Sequence, residues 1–526
     1  MDMSADNNAE PLVMGIDAGT GGLRIGVFNA KGECRYLRNQ DYATCFPKPG
    51  WAEQSPEDWW SALVNSVQTL FSESDIKPEQ IRAIAVDGTA STVVCVDDNG
   101  ESIGPAILWM DARASDQAEN IFRTGHPILE RSSAGVSSEM MLPKLLWLKE
   151  NDPERFEQSR YFMEEVDYLT MKLSGVPALS INHITHRWFY NPRTGGWPHD
   201  FYQHIGLGNI VEKFPERVLP MGESVGKISN DVAELTGLSP DTLIAMGGCD
   251  AYVGMLGLNA VRKNQAALIT GSSHVFLPVS DSTAPIKGVF GPHPDCVIPG
   301  LTVYEGGQVS SGSIIKWYND NFIHEAMFDN PGLLEKNTDK LEKLTQEAKQ
   351  ISIGSEGLIV LDYWQGNRTP HTDYKVQGAI WGLTLKHSKA HVYRAICESI
   401  AYATESMLTR LRKNGVHINA MYFGGGFSKS EFSLQLHADV SNVDIYVPEF
   451  TEATVLGCAI CAAKTAGFYG DLVTASDNMV TITKVIKPNP KSHQDYQFYF
   501  YLYEKTYDAM MPLMHEMAER PDSEST

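Results

Sequence analysis

Two segments of this 526-residue chain share one pattern, and this repeat limits the folds that the chain can adopt. Residues 12–28 have the pattern of an apolar strand, a glycine-rich turn and a second apolar strand. Residues 266–277 repeat this order around the small polar turn Thr270-Gly271-Ser272-Ser273. Two such hairpins, far apart in the sequence, predict a chain with two similar halves.

Strand and helix patterns alternate along the chain. Residues 81–87 form a continuous apolar run typical of a buried strand, and residues 141–150 have apolar positions at helical spacing. This interleaving predicts α/β layers with crossover helices, and the length exceeds the ~100–200 residues of one ordinary domain. We expect a first domain at residues 11–262 and a second at residues 263–487. A C-terminal extension at residues 488–526 is expected to be partly helical, with a frayed end.

Charge and composition exclude several classes of partner. A net charge of −22, from 65 acidic and 43 basic residues, and the lack of a basic run argue against nucleic-acid binding. The acidic N-terminus lacks the features of a secretory signal, and no apolar run approaches the ~20 residues that span a bilayer. The eight cysteines do not form a disulfide framework, and Cys458 and Cys461 lie among small residues that suit helix packing. We therefore expect a cytoplasmic protein with reduced thiols and no membrane segment.

The turn of the first hairpin is a candidate phosphate site. It does not contain the P-loop pattern, but its glycines let backbone N–H groups approach an anion closely. Thr20 adds a hydroxyl donor, and Arg24 can add a charged fork. Asp17 would then need a bridging Mg²⁺, because a carboxylate and a phosphate repel each other. The alternative is a tight hairpin with Asp17 in an Asx-type turn and no ligand. The second hairpin favours the phosphate site, because two such turns facing each other could bind a triphosphate from both sides.

Two further motifs carry candidate chemistry. Asp250 begins a helix-like run, where it could be the helix N-cap or the general base for an attacking hydroxyl. These roles compete, because a carboxylate bonded to its own helix N–H groups is a weaker base. Residues 424–426 are three glycines between a strand and a helix, which suits close approach of the backbone to a base or an α-phosphate.

The order of these motifs resembles that of the FGGY family of carbohydrate kinases, over about residues 13–470. The segments that carry the resemblance are Gly248-Cys249-Asp250, Thr270-Gly271-Ser272-Ser273, residues 357–370 and residues 424–426. Within the family the chain is similar to the ribulokinase-like branch of pentulose kinases. The segments that indicate this branch are Asp87-Gly88-Thr89-Ala90-Ser91 and residues 109–114, 138–150 and 304–308.

The resemblance implies two actin-like (ribonuclease H-like) ATPase domains around a central cleft that holds MgATP and a sugar. It implies that Asp250 is the catalytic base and that Asp17 takes part in the metal site. The implied nucleotide and phosphate contacts are Asp17, Thr20, Gly21, Arg24, Thr270, Gly271, Ser272, Gly425, Gly426 and Asn442. The implied sugar contacts are Thr89, Ala90, Arg187, Asp250 and Glu305.

Three positions depart from the expected pattern. Arg187 stands where lysine is usual, and its planar fork differs from a compact ammonium group. Around Asp250, Cys249 and Tyr252 depart from the Ile-Asp-Ala-His-type run expected of some family members. Taken alone, Glu305 could be a turn carboxylate, and Arg187 could be a surface residue lying over Trp188.

The resemblance implies ATP-dependent phosphorylation of a terminal hydroxyl of a ketopentose, with D-ribulose as the first expectation. Other small carbohydrates stay open as acceptors: xylulose, a tetritol, glycerol or a quorum-signal sugar derivative. A different alternative is a non-enzymatic actin-like nucleotide switch, which would share the phosphate hairpins. The partner is expected to be a small sugar or polyol, and a homodimer is left open.

Overall fold

The computed structural model describes residues 10–132, 135–324 and 337–520. The strands are β1 (Leu12–Gly19), β2 (Gly22–Asn29), β3 (Cys34–Asp41), β4 (Glu53–Gln54), β5 (Ile81–Gly88), β6 (Val93–Val96), β7 (Ala106–Ile107), β8 (Tyr161–Glu164), β9 (Leu179–Ser180), β10 (Val218–Leu219), β11 (Ser224–Lys227), β12 (Leu243–Ala245), β13 (Gln265–Thr270), β14 (His274–Ser280), β15 (Phe290–Pro294), β16 (Thr302–Gln308), β17 (Ile359–Leu361), β18 (Ala379–Trp381), β19 (Ala420–Gly425), β20 (Asp444–Pro448) and β21 (Ile482–Ile486). The α-helices are α1 (Pro56–Glu73), α2 (Ser115–Arg123), α3 (Met141–Asn151), α4 (Pro153–Gln158), α5 (Glu165–Ser174), α6 (Ile181–Arg187), α7 (His199–His204), α8 (Asn230–Thr236), α9 (Asp250–Leu258), α10 (Gly312–Phe322), α11 (Asn337–Lys349), α12 (Lys389–Lys413), α13 (Glu431–Ser441), α14 (Ala453–Thr465), α15 (Leu472–Met479) and α16 (Pro490–Ala518). Most of the acidic N-terminal stretch and the predicted frayed end, residues 521–526, lie outside the described residues.

Two large mixed sheets organise the chain. The first has the strand order β11-β12-β5-β1-β2-β3, and the second has the order β15-β16-β14-β13-β19-β20-β21. In each sheet an antiparallel hairpin, β1–β2 or β13–β14, adjoins a parallel strand, β5 or β19. Both predicted hairpins, the predicted strand at residues 81–87 and the predicted helix at residues 141–150 are confirmed. The chain has the predicted two-domain α/β fold.

Helices α9 and α14 pack closely together where the two sheets approach each other. A Cβ atom at Gly257 would lie 2.0 Å from the carbonyl oxygen of Ala453, and one at Gly457 would lie 2.1 Å from that of Val253. Such close backbone contact requires glycine at these positions. Cys458 and Cys461 lie fully buried in the same helix as free thiols, which confirms the packing interpretation of these cysteines.

Helix α16 forms most of the C-terminal extension and packs onto the second half of the chain. Tyr496 and Tyr503 are buried, and the Tyr503 hydroxyl donates to Oδ1 of Asp362 at 2.6 Å. The described part of the extension therefore consists mainly of one long helix fixed to the protein. Among the described residues, no helix combines the length and the apolar character needed to cross a bilayer.

Candidate active site

Asp17 lies in β1, paired with Arg24 of β2, close to the turn of the first hairpin. Nη1 of Arg24 lies 3.4 Å from Oδ2 of Asp17 and 2.5 Å from Oε2 of Glu452. From the start of α14, the Thr454 hydroxyl donates to Oδ2 of Asp17 at 2.8 Å. Asp17 is therefore held inside a strand by a distant helix, rather than in the Asx-type turn of the alternative interpretation.

The turn after Asp17 is anchored on one side and open on the other. The Thr20 hydroxyl accepts a hydrogen bond from Nε1 of Trp109 at 3.0 Å, and the Thr20 carbonyl accepts one from Nε2 of Gln54 at 2.7 Å. A Cβ atom at Gly21 would meet no heavy atom within 4 Å. The space beside Gly21 is therefore open to an approaching phosphate.

Thr270, at the end of β13, ties the second hairpin to the glycine loop. Its hydroxyl donates to the carbonyl of Gly424 at 2.6 Å and accepts from the N–H of Phe427 at 3.0 Å. Gly425 has a φ of 81°, and a Cβ there would lie 1.9 Å from the Thr270 carbonyl oxygen. The hydroxyl proton of Thr270 is thus used inside the protein. Holding the loop is a better interpretation for this hydroxyl than the predicted contact with phosphate.

A large cleft adjoins this second hairpin. It has a volume of about 1210 Å³, and Gly271, Ser272 and Gly426 form part of its wall. The rest of the lining comes mainly from α10, α11 and α13. Ordinary small-molecule sites measure about 300–1,000 Å³, so this cleft has room for a nucleoside triphosphate.

Asn442, predicted on the nucleotide side, lies elsewhere. It is exposed at the carboxyl end of α13 and has a φ of 52°. Asparagine is one of the few residues that accept this left-handed conformation, which commonly ends a helix. The structure therefore gives Asn442 the role of a helix cap and does not place it at the cleft.

Asp250 is the first residue of α9, and Cys249 occupies the N-cap position. The interpretation of Asp250 as the N-cap itself is therefore wrong by one residue. Burial raises the pKa of Asp250 to about 6; the N–H of Ala251, which donates to Oδ1 at 2.6 Å, opposes this shift, and the charge of Asp17 adds to it. A carboxylate with a pKa near neutrality is suited to accept a proton from a substrate hydroxyl.

Two more buried carboxyl groups lie near Asp17 and Asp250. Burial, followed by the charges of Asp17 and Asp250, raises the pKa of Asp87 well above its ordinary value. Burial raises the pKa of Glu165 to about 8, although hydrogen bonds from Thr89 oppose the shift. Glu165 was missed in the sequence, because nothing in its local pattern marks it as part of a site.

A divalent cation would suit this acidic position. Asp17 has 13% of its side-chain surface exposed, and its charge raises the pKa of both Asp87 and Asp250. A cation here would relieve that repulsion. Within the described ranges, no three or more His, Cys, Asp or Glu residues are grouped to hold a metal ion. Mg²⁺ usually takes one or two protein carboxylates and completes its shell with water and phosphate. The donor set fits Mg²⁺ bound at Asp17 beside a nucleotide.

The loop after β5 contains the predicted contacts Thr89 and Ala90, and buried side chains hold it firmly. Oε2 of Glu165 accepts from the Thr89 N–H at 3.0 Å and from its hydroxyl at 2.7 Å. The ammonium group of Lys144 donates to the carbonyls of Ser91 and Leu108, at 2.7 Å each. Lys144 is fully buried, and burial lowers its pKa to about 7. It lies in the segment 138–150 of the sequence resemblance, which was the signal that could have found it.

Arg187 and Glu305, which are 118 positions apart in the sequence, form an ion pair. Nη2 of Arg187, at the end of α6, lies 2.9 Å and 3.2 Å from the two carboxylate oxygens of Glu305 in β16. Although burial opposes ionisation, Arg187 lowers the pKa of Glu305. Trp188 donates its indole N–H to Glu164 instead of supporting Arg187. Glu305 is therefore not a turn carboxylate, because it lies within a strand. Arg187 is not a surface residue lying over Trp188, because it is ion-paired with Glu305.

A second, small cavity lies beside this ion pair. It has a volume of about 50 Å³ and is lined by Arg187 and Glu305 together with Glu139 and Arg368. Arg368 pairs with Glu139 at 3.0 Å. Both arginines in the lining are thus neutralised by glutamates. Glu139 and Arg368 were not among the predicted site residues, although each lies within a segment that carries the resemblance.

Comparison with known proteins identifies the family of the chain. The N-terminal domain of the FGGY family of carbohydrate kinases matches residues 12–257, and the C-terminal domain of that family matches residues 266–466. An FGGY carbohydrate kinase domain-containing protein of Xenopus laevis is 30% identical over 98% of both chains. A ribulokinase of Bacillus licheniformis is 29% identical over 87% of both chains. The crystal structure of a ligand-bound xylulose kinase from Lactobacillus acidophilus superposes with a TM-score of 0.85 at 23% identity, covering 96% of this chain and all of that one. The chain therefore belongs to the FGGY family of carbohydrate kinases, phosphotransferases that act on a carbohydrate hydroxyl.

Proposed function

We propose that this protein uses ATP to phosphorylate a terminal hydroxyl of a ketopentose, with D-ribulose as the first acceptor to test. The observation that carries the proposal is the position of Asp250. Cys249, directly before Asp250, pairs with Gly88, the β5 partner of Ala18 in the first hairpin. Tyr252, two residues after Asp250, donates a hydrogen bond to Glu305, the predicted sugar contact. Asp250 is thus connected to both the phosphate hairpin and the residue proposed to bind the acceptor.

Positioning and charge neutralisation supply most of the catalysis in such a transfer. Asp250 accepts the proton of the acceptor hydroxyl while the oxygen forms a bond to the terminal phosphorus of ATP and ADP leaves. The backbone N–H groups of Gly21 in the first hairpin and Ser272 in the second bind phosphate oxygens. The N–H of Gly271 instead donates to the Ser273 carbonyl at 2.9 Å and holds the second turn closed. Mg²⁺ at Asp17 would neutralise charge on the triphosphate. Closure of the cleft excludes water, which would otherwise compete as the acceptor.

The small cavity favours a neutral acceptor. A carboxylated sugar would need an unpaired cation, whereas Arg187 is paired with Glu305 and Arg368 with Glu139. Paired charges of this kind present hydrogen-bond donors and acceptors to hydroxyl groups without net charge. The relatives named ribulokinase and xylulose kinase also support a pentulose.

A panel of acceptors tests the proposal. ADP formation is measured with Mg²⁺ and ATP in the presence of D-ribulose, L-ribulose, D-xylulose, erythritol, glycerol or gluconate. We expect the highest kcat/KM with D-ribulose and the lowest with gluconate. If another pentulose or a polyol gives the highest kcat/KM, the proposed acceptor is wrong, but the proposed phosphoryl transfer is retained. ADP formation that no acceptor stimulates would overturn the proposal and favour a nucleotide switch.

We also propose a domain boundary, a cellular location and an oligomeric state for the protein. We place the domain boundary at residues 262–263 and the start of the extension at residue 488. All eight cysteines lie within the described residues as free thiols, which supports a reducing, cytoplasmic location. A homodimer is the assembly to test first, by light scattering during size-exclusion chromatography.

A further inference from the structure

Tyr252 is one of the positions that depart from the family pattern expected from the sequence, and the structure gives this residue a specific contact. Tyr252 lies in α9, two residues after Asp250. Its hydroxyl donates a hydrogen bond of 2.8 Å to Oε2 of Glu305. The residue is only 2% exposed. Tyr252 therefore connects the helix that begins with the candidate base to the carboxylate of the acceptor side.

Two histidines hold the ring of Tyr252. His186 stacks on it with ring centroids 4.7 Å apart and an interplanar angle of 26°, and His293 meets it nearly edge-on at 6.4 Å. Burial lowers the pKa of both histidines, that of His293 to about 3. Both rings are therefore neutral and pack as aromatic groups. The phenol ring cannot swing away from Glu305 without losing this stacking.

Helix α6, which carries His186, also holds the start of α9 and the Glu305 carboxylate. Oδ1 of Asn182 accepts from the N–H of Cys249 at 2.8 Å, immediately before α9 begins. Arg187, at the end of the same helix, bonds to Glu305. Because one short helix holds both the start of α9 and the Glu305 carboxylate, these parts form one rigid unit.

Glu305 keeps little acceptor capacity for a substrate. A carboxylate offers about four lone-pair positions. Arg187 approaches both oxygens, at 2.9 Å and 3.2 Å, and Tyr252 takes a third position at 2.8 Å. About one lone-pair position of Glu305 is left to accept from a hydroxyl of the acceptor. The three bonds from Arg187 and Tyr252 fix the carboxylate and so set the direction in which this position points.

We propose that Tyr252 is a positioning residue for the acceptor: its hydroxyl holds Glu305 so that one acceptor hydroxyl binds in register with Asp250. This inference rests on the proposed function and deepens it. Because Tyr252 acts through Glu305, it governs acceptor KM and acceptor choice and leaves nucleotide binding unchanged.

The variant Tyr252→Phe tests this, because it keeps the stacked ring and removes only the hydroxyl. We expect about a tenfold rise in KM for the preferred acceptor, equivalent to about 1.4 kcal/mol. The KM for ATP should stay within about twofold, and the preference for the best acceptor over the second-best should narrow. The matched control is Tyr503→Phe, which removes a buried tyrosine–carboxylate hydrogen bond of 2.6 Å to Asp362 in the C-terminal helix packing. It should leave both KM values unchanged.

The results separate failure of this inference from failure of the proposed function. If no carbohydrate stimulates ADP formation by the unaltered protein, the proposed function fails. If the unaltered protein is active and Tyr252→Phe leaves the acceptor KM unchanged, or raises both KM values equally, the positioning role is overturned. A double-mutant cycle with Glu305→Ala, which removes the oxygen that accepts from Tyr252, guards against a folding defect. Removal of the Tyr252 hydroxyl should add nothing in the Glu305→Ala background, and additive effects would contradict the inference.

Discussion

Asp17 and Asp87 lie side by side on the parallel strands β1 and β5, and Oδ1 of Asp87 is buried without a hydrogen-bond partner among the described residues. Burial, followed by the charges of Asp17 and Asp250, raises the pKa of Asp87. Cys458 donates its thiol proton to Oδ2 of Asp87 at 3.2 Å. Asp87 is fully buried, whereas Asp17 is partly exposed. Burial and the neighbouring charge of Asp17 therefore favour the neutral form of Asp87.

This arrangement predicts different outcomes for two replacements of Asp87. Asp87→Asn keeps a neutral polar group of nearly the same shape beside Asp17, so it should retain most of the activity and the same dependence on Mg²⁺ concentration. Asp87→Ala leaves a gap beside Asp17, so Asp17 is held less firmly and the Mg²⁺ concentration needed for half-maximal turnover should rise. Steady-state rates across a Mg²⁺ titration measure both effects. An asparagine variant as impaired as the alanine variant would show that Asp87 acts as a carboxylate.

Glu165 predicts a pH-dependent stability. Its pKa is raised from an ordinary 4.5 to about 8, chiefly by burial. The protonated group thus contributes stability that is fully present below pH 4.5 and is lost as the pH rises through 8. Glu165→Gln stays neutral and should lose less stability between pH 5 and pH 8, by up to about 1.4 kcal/mol per pH unit. Urea unfolding at several pH values measures the difference, and parallel curves for the two proteins would contradict it.

The pKa of Asp250 predicts the acid limb of the activity profile. A general base works only when deprotonated, so kcat/KM for the acceptor should fall about tenfold per pH unit below pH 6 and level off above it. Rates with the preferred acceptor at saturating MgATP, from pH 4.5 to pH 8, give this profile. An acid limb that persists unchanged in a variant lacking the carboxylate would assign it to another group.

Gly426 offers a test of the nucleotide cleft that leaves the fold intact. A Cβ atom at Gly426 would meet no heavy atom within 4 Å, yet the residue lines the large cleft. Gly426→Ala should therefore fold normally and bind ATP more weakly, because the methyl group occupies space that the nucleotide needs. Gly470→Ala is the matched control, since its added Cβ also meets nothing within 4 Å. Equal ATP affinity in the two variants, measured by calorimetry, would place the nucleotide elsewhere.

Part of this protein could be predicted from its sequence because the signals are local. A strand, a glycine turn and a second strand are encoded within a few residues, which is why both hairpins were found. The candidate site could be predicted less completely, because many of its contacts join residues that are far apart in the sequence. Thr89 bonds to Glu165 across 76 positions, and no local sequence pattern predicts such a contact. Asn442 shows the opposite error, because a matching motif position cannot distinguish a helix cap from a ligand contact. In the sequence, Tyr252 was marked only by its departure from the expected family pattern. Its hydrogen bond to Glu305, a predicted sugar contact, is seen only in the folded chain.

The measurement that tests the central claim most directly compares Asp250→Asn with the unaltered protein, with ATP binding and acceptor-dependent ADP formation followed in the same preparations. Loss of a positioned general base lowers turnover by about 10²–10⁴-fold. We expect a loss of that size with the affinity for ATP nearly unchanged. Acceptor-dependent turnover at the rate of the unaltered protein in Asp250→Asn would contradict the assignment of Asp250 and the reaction built on it.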